Sequence, residues 1–180
     1  MARVTYKGGQ ILALDSATCT GVCEGEPGGS PVLEAVDFGR ELDDEFDIWA
    51  RAQLWIIRRF NAAHEAGRPI GLMVIEGLVP QYDKTIQCGI YAVCGAVARN
   101  KGIPILRAPI ATWRAFCLGN GRMKGKLAKQ RSVEIATQLG WKPPNHDAAE
   151  AAMQWLWACS QVAPRQAHRF EPLFLKRGAA

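Results

Sequence analysis

Residues 10–21, QILALDSATCTG, constrain the chain more than any other stretch. Ile11, Leu12, Ala13 and Leu14 form an unbroken apolar run of strand length, the pattern of a strand buried on both faces. At its end stands one carboxylate, Asp15, followed by Ser16, Ala17 and Thr18, which turn the chain toward a second strand. An acid at the mouth of a buried strand has two readings. Asp commonly hydrogen-bonds its own following backbone in a turn. It also ligates divalent cations where other carboxylates converge on the same point. The placement of the remaining acids decides between them.

At 180 residues, 48% of them hydrophobic, the chain is the size of one domain with its own core, so 1–180 is expected to be a single domain. The six cysteines include no CxxC pair and no spaced Cys/His set, which indicates neither a zinc site nor a disulfide framework. Reduced thiols in a cytoplasmic protein are expected. No apolar signal core follows Met1 and no stretch reaches membrane-spanning length, so no membrane partner is expected. The net charge of +5 is unevenly placed. Ten basic residues and no acid lie in 84–133, whereas thirteen of the seventeen acids precede Lys84. That split favours one cationic side, suited to a polyanion such as nucleic acid.

In chain order, the strand at 10–15 leads through a Thr20-Gly21 turn into a short strand at 22–24. A Gly/Pro-rich loop at 25–31 and a third strand near 32–38 follow, making an antiparallel start to a sheet. Asp43, Asp44 and Glu45 open a helix whose Phe46, Trp49, Ala50, Leu54, Ile57 and Phe60 recur near a 3.6-residue period, and Gly67-Arg68-Pro69 stops it. The apolar run 70–75 is a second central strand, and it too ends in a carboxylate, Glu76. Segment 86–98 reads as a helix apolar on every side, with one face for the sheet and the other, through Gly89 and Gly95, for a homodimer contact. A last strand at 103–106 and helices at 112–116 and 125–139 follow. Asn145 is a candidate N-cap for a helix to about 158. The residues from 164 to 180 form a basic peripheral tail. The fold class is α/β, a mixed five-stranded sheet, three strands antiparallel and then two parallel, with helices on both faces.

Asp147 and Glu150, three residues apart near the start of that helix, share one of its faces. Acids there also suit the helix dipole, but the small residues around them, Ala148, Ala149, Ala151 and Ala152, allow a close approach to a sheet end. Asp15, Glu76, Asp147 and Glu150 thus stand at two strand ends and on one helix face. Four gathered anions oppose folding unless divalent cations sit among them, and hard oxygen ligands suit Mg²⁺ or Mn²⁺. Two such ions about 4 Å apart would serve an in-line phosphodiester displacement.

The motifs LALDSATCTG, VIEG, the small-residue helix, APIATWRAFCLGNGR and NHDAAEAAM, in this order over about 10–157, resemble the RuvC-type Holliday junction resolvases. These belong to the RNase H-like (retroviral integrase) nuclease superfamily. The resemblance implies a crossover junction endodeoxyribonuclease in which Asp15, Glu76, Asp147 and Glu150 hold two Mg²⁺ ions, with Mn²⁺ able to substitute. It implies paired nicks in four-way DNA by a homodimer, leaving 5′-phosphate and 3′-hydroxyl ends. Lys124, Lys126 and Lys129 fall where the family carries basic residues near the scissile phosphate, and Arg122, Tyr82 and Lys84 are expected as further DNA contacts. Ser16-Ala17-Thr18 is closer to the phage-type branch than the Pro-Gly-Ser of bacterial members. Glu150 stands in place of a usual Asp, and Val79 in place of a junction-opening aromatic that Tyr82 could replace. DSATCTG is also similar to the phosphate loop of actin-like kinases, but those need two large lobes and this chain has room for one. A non-catalytic junction-binding protein on the same fold is the other alternative, against which stand four positions that all remain acidic.

Overall fold

The computed structural model describes residues 4–40, 43–77 and 85–167. Five strands form one sheet: β1 (Gln10–Asp15), β2 (Cys19–Gly25), β3 (Val32–Asp37), β4 (Ile70–Glu76) and β5 (Ile105–Ala108), in the spatial order β3-β2-β1-β4-β5. β1 pairs antiparallel with β2, which pairs antiparallel with β3, while β4 runs parallel to both β1 and β5. The three-antiparallel, two-parallel sheet expected from the sequence is therefore present.

Because side chains alternate along a strand, the sheet divides the core in two. Leu12, Leu14, Met73 and Ile75 pack against α1 (Glu45–Glu65) and α2 (Thr85–Asn100). Ile11, Ala13, Leu72 and Val74 pack on the other face with α3 (Ile110–Leu118), α4 (Gly125–Gln138) and α5 (His146–Val162). Burial of each of the Leu, Ile, Val and Met side chains among these contributes about 1.5–3 kcal/mol. A four-residue α6 (Pro164–Ala167) follows. No helix among the described residues is long and apolar enough to cross a membrane.

Several local expectations shift. Thr20 and Gly21 lie inside β2 rather than in a turn; the turn is at 16–18, where the Thr20 hydroxyl accepts from the Ala17 amide at 3.2 Å and donates to the Ala17 carbonyl at 2.5 Å. The last strand begins at Ile105: Pro104, just ahead of it, has no amide hydrogen to give the ladder, although its carbonyl accepts from the Met73 amide at 3.0 Å. Asp44 caps α1 as the acids there implied, accepting from the Phe46 amide at 2.8 Å. The buried stripe of α1, however, is Ile48, Ala52, Ile56, Phe60 and Ala63, and Phe46 and Leu54 stay 67% and 49% exposed. The helix carries apolar residues on two faces, and the sheet took the one with small and β-branched side chains at i, i+4 spacing. Trp49 leans instead on α2, where its indole donates to the Ile86 carbonyl at 3.2 Å. A methyl group on Gly89 would lie 1.9 Å from that indole nitrogen, so Gly89 receives Trp49 of the same chain rather than a second copy.

All six cysteines are free thiols. Burial pushes Cys94 up to about 12 and raises Cys23, Cys117 and Cys159, which makes these four inert packing residues.

Candidate metal centre

Two strands deliver the first acids by simple alternation. Ile11 and Ala13 face α5, so Asp15 does too; Leu72 and Val74 face α5, so Glu76 does too. Since β1 and β4 are parallel neighbours with Leu14 opposite Ile75, the two carboxylates leave the sheet side by side.

The α5 helix brings the other two. Its N-cap, Asn145, accepts from the Ala148 amide at 2.9 Å and donates to Cys19 Sγ at 3.4 Å, tying the helix start to the first residue of β2. Gly21, which pairs with Asp15 across the β1–β2 ladder, lets the helix lie directly on the sheet. A Cβ there would come within 2.1 Å of the Asp147 carbonyl oxygen. From this seat, carboxylate oxygens of Asp15, Asp147 and Glu150 all fall within 4.8 Å of one another. Glu76 stands outside that tight group, next to it, and accepts from Gln154 Nε2 at 3.3 Å. Of the four acids anticipated from the sequence, the structure thus gathers three closely and sets the fourth on the adjacent strand end.

The electrostatics show an unbalanced cluster. Asp15, with only 9% of its surface exposed, is raised well above the usual carboxylate range, first by burial and then by Glu76, Glu150 and Asp147, with Lys129 opposing. Glu150 is also raised, mainly by burial, although Arg114 and Lys129 pull it down. Lys129 Nζ lies 2.9 Å from Asp147 Oδ1, and Arg114 Nη2 lies 3.0 Å from Glu150 Oε1. Burial alone would lower Lys129, but its hydrogen bond to Asp147 and the charges of Asp147, Glu150 and Asp15 raise it. His146 Nδ1 sits 2.8 Å from the same Asp147 oxygen. Ser16 Oγ and Gln154 Oε1 are buried without a protein partner among the described residues. An all-oxygen set of closely spaced, partly uncompensated carboxylates fits a hard divalent cation, which would remove the repulsion that raises Asp15.

Of the residues anticipated to meet DNA, Lys129 is bound into the cluster, while Arg122, Lys124 and Lys126 are exposed in the α3–α4 connection and the first turn of α4. Tyr82 and Lys84, with Val79, lie outside the described residues. The basic stretch does not form one surface: Lys101 donates to Asn61 of α1 at 2.7 Å and Arg107 lies over Tyr91 of α2, on the far side of the sheet. Arg114 and Gln154 were not anticipated. Each is a polar side chain in a helix stretch that is otherwise apolar, IATWRAFCL and AAMQWLWAC, and a buried polar group requires a partner. Gln154 lies four residues beyond Glu150 and seven beyond Asp147, the spacing of one helix face.

No family model matches the chain, and no curated protein matches it. Solved structures do. A Thermus thermophilus RuvC structure superposes with a TM-score of 0.61 at 13% sequence identity, covering 89% of this chain and 93% of that one. T. thermophilus RuvC in complex with a Holliday junction substrate superposes with a TM-score of 0.59 at 13% identity, covering 90% and 93%. At this identity the likeness establishes the RuvC, RNase H-like fold for nearly the whole chain.

Proposed function

We propose that the chain is a metal-dependent, structure-selective DNA endonuclease that nicks four-way junctions in paired strands, leaving 5′-phosphate and 3′-hydroxyl ends. The observation that carries this reading is the convergence of Asp15, Asp147 and Glu150 within 4.8 Å beside Glu76, at the strand ends of a RuvC fold. Ligand sites of open α/β sheets lie at such strand ends.

Asp15, Glu76, Asp147 and Glu150 would hold two Mg²⁺ ions, with Mn²⁺ able to substitute. When bound, such ions supply Lewis-acid stabilisation of a phosphodiester and acidify a water nucleophile. The chain's own part is to position charge. Arg114 and Lys129, fixed by Glu150 and Asp147, set two cations where negative charge develops on a phosphate. Arg122, Lys124 and Lys126 are exposed for the sequence-independent grip on the backbone, and Tyr82 and Lys84 extend it. A homodimer places two clusters on the paired strands of one junction, and the protein acts inside the cell, as one nuclease domain.

The test is incubation of purified protein with a labelled immobile four-way junction, with and without Mg²⁺, beside linear and three-way DNA and an Asp15→Asn variant. Symmetrical nicking of the four-way junction that needs both metal and Asp15 supports the proposal. Equal cutting of three-way DNA makes the enzyme a general debranching nuclease, and tight binding without cutting under any metal makes it a junction-binding protein.

A further inference from the structure

The basic residues of 84–133 do not all stand at the metal centre. Arg99 and Lys101, with Lys7 from the segment before β1, line a separate cleft of about 410 Å³. It lies at the opposite end of the sheet: Ile70 and Gly71, which open β4, and Pro104, just ahead of β5, also line it, whereas Glu76 ends β4 at the metal centre. At about 3.3 Å per residue, β4 separates the two sites by roughly 20 Å. Resting on the nuclease reading, we infer that this cleft is a second anion site, which takes a phosphate group of the DNA backbone away from the cut.

Three observations assign an anion to it. First, the charge is one-sided. Among the described residues no acid lines the cleft, and Lys7 and Arg99 are exposed there with no hydrogen-bond or ion-pair partner. Lys101 donates to an uncharged amide, Asn61 Oδ1, at 2.7 Å, so its charge is not neutralised. Cations gathered in a cleft raise the local concentration of anions. Second, the end of α2 does not need them. Cations in a last turn commonly serve the helix dipole. Here the carbonyls of Val97, Ala98 and Arg99 already accept from the amides of Lys101, Ile103 and Gly102, at 3.1, 2.9 and 3.0 Å, so the backbone caps α2 itself. Third, the wall opposite α2 is fixed. A Cβ on Gly71 would lie 1.8 Å from the Gly8 carbonyl oxygen, and one on Gly9 2.5 Å from that of Pro69, so the segment carrying Thr5 and Lys7 is seated directly on the start of β4. The Thr5 hydroxyl on the lining adds an uncharged donor for a phosphate oxygen. The edge strand β5 points to DNA as the source of the phosphate. It runs from the cleft to Ala108, opposite Glu76, and its Arg107 is exposed along the way. A duplex advances about 3.4 Å per base pair, so roughly 20 Å is about six base pairs, and one arm laid along this edge meets cations at both ends.

The experiment measures binding of the full chain to a labelled immobile four-way junction in chelator, over a range of salt concentrations. Each phosphate contact adds about 0.9 to the slope of log K against log salt, so Lys7→Gln and Arg99→Gln together should flatten that slope by about two. Arg58→Gln and Arg165→Gln together remove the same charge from exposed positions elsewhere and should leave the slope within about 0.5 of wild type. A second arm titrates AMP alone into the wild-type chain by calorimetry, with no uptake expected. Nicking of the same junction by the wild-type chain with Mg²⁺ reads the nuclease separately. An equal fall in both pairs, or no fall in the first, overturns the cleft inference and leaves the nuclease reading standing. AMP uptake that the first pair loses, with its junction slope unchanged, makes the cleft a nucleotide pocket and overturns the DNA backbone as its ligand. A fall confined to the first pair, without nicking by the wild-type chain, keeps the anion site and removes the nuclease. A wild-type chain that neither binds nor nicks junctions overturns both.

Discussion

Asp15 and Glu76 reach the cluster from the ends of adjacent parallel strands, whereas Asp147 and Glu150 reach it from the first turns of a helix, and the two pairs are compensated differently. Each helix acid has a cation in contact, Lys129 for Asp147 and Arg114 for Glu150, and both cations come from helices packed beside α5. At the strand ends, Glu76 accepts from an uncharged amide, Gln154, and Asp15 is raised by burial and by three neighbouring acids. Each helix acid thus has a cation of the protein in direct contact, whereas Asp15 is buried among three other acids with the charge of Lys129 opposing them. A buried charge without a counter-ion is destabilising, and structures retain such groups at functional sites.

Removing the acid at the centre of this asymmetry should have the largest effect. Changing a group that supports a metal ligand lowers affinity or activity by about 10–100-fold, so Asp15→Asn, which alters a ligand itself, should lower junction nicking by more than about 100-fold. Rates measured under single-turnover conditions check this; nicking within tenfold of wild type would show that Asp15 is not a ligand. Gln154→Met, similar in shape but unable to donate to Glu76, should raise the Mg²⁺ concentration for half-maximal nicking by about 10–100-fold and leave the saturated rate nearly intact. A fall in the saturated rate alone would make Gln154 a packing residue.

Gly21→Ala sharpens the comparison from the sheet side. A methyl group 2.1 Å from the Asp147 carbonyl lifts the start of α5 and its acids away from Asp15. Over-packing of this kind destabilises by about 1–3 kcal/mol, measurable by denaturant unfolding, with reduced metal affinity as the accompanying signature. The smallest effect is on the metal-free protein. Asp15 is held above its ordinary value of 3.8, so the folded state binds a proton that the unfolded state has released. Stability from this group is therefore fully present below that value and lost as pH rises through the folded-state pKa. Melting scans in chelator should show Tm falling as pH rises from 4 toward neutrality, by about 2–4 °C for each kcal/mol lost. Asp15→Asn should flatten that fall and raise Tm at neutral pH; an unchanged profile would mean the strand side carries no strain.

Much of this was legible in the sequence. Unbroken apolar runs ending in Asp15 and Glu76 announced two central strands with acids at their ends, and alternation back from those acids through Ala13 and Ile11, or Val74 and Leu72, gives the face they share. The Asn145 cap and the Asp147–Glu150 spacing placed the helix pair. What stayed hidden depended on neighbours. Nothing local distinguishes the two apolar faces of α1, and only packing into the core shared with the sheet and α2 selected Ile48, Ala52 and Ile56 over Phe46 and Leu54. Gly21 looked like a turn residue, because a glycine required by a helix crossing 126 residues later carries no local mark. Arg114 and Gln154 were visible as polar breaks in apolar helices, but their partners are set by the α3–α5 and α5–sheet contacts.

The most direct measurement is Mn²⁺ binding, followed by the electron paramagnetic resonance of the free ion as it is titrated into the purified protein, with and without junction DNA. Stoichiometric uptake by the wild-type chain that Mg²⁺ displaces and Asp15→Asn loses, in a variant that remains folded, is the expected result. No uptake by the folded wild-type protein even on junction DNA, or equal uptake by Asp15→Asn, would contradict a metal centre built on the strand-end carboxylates.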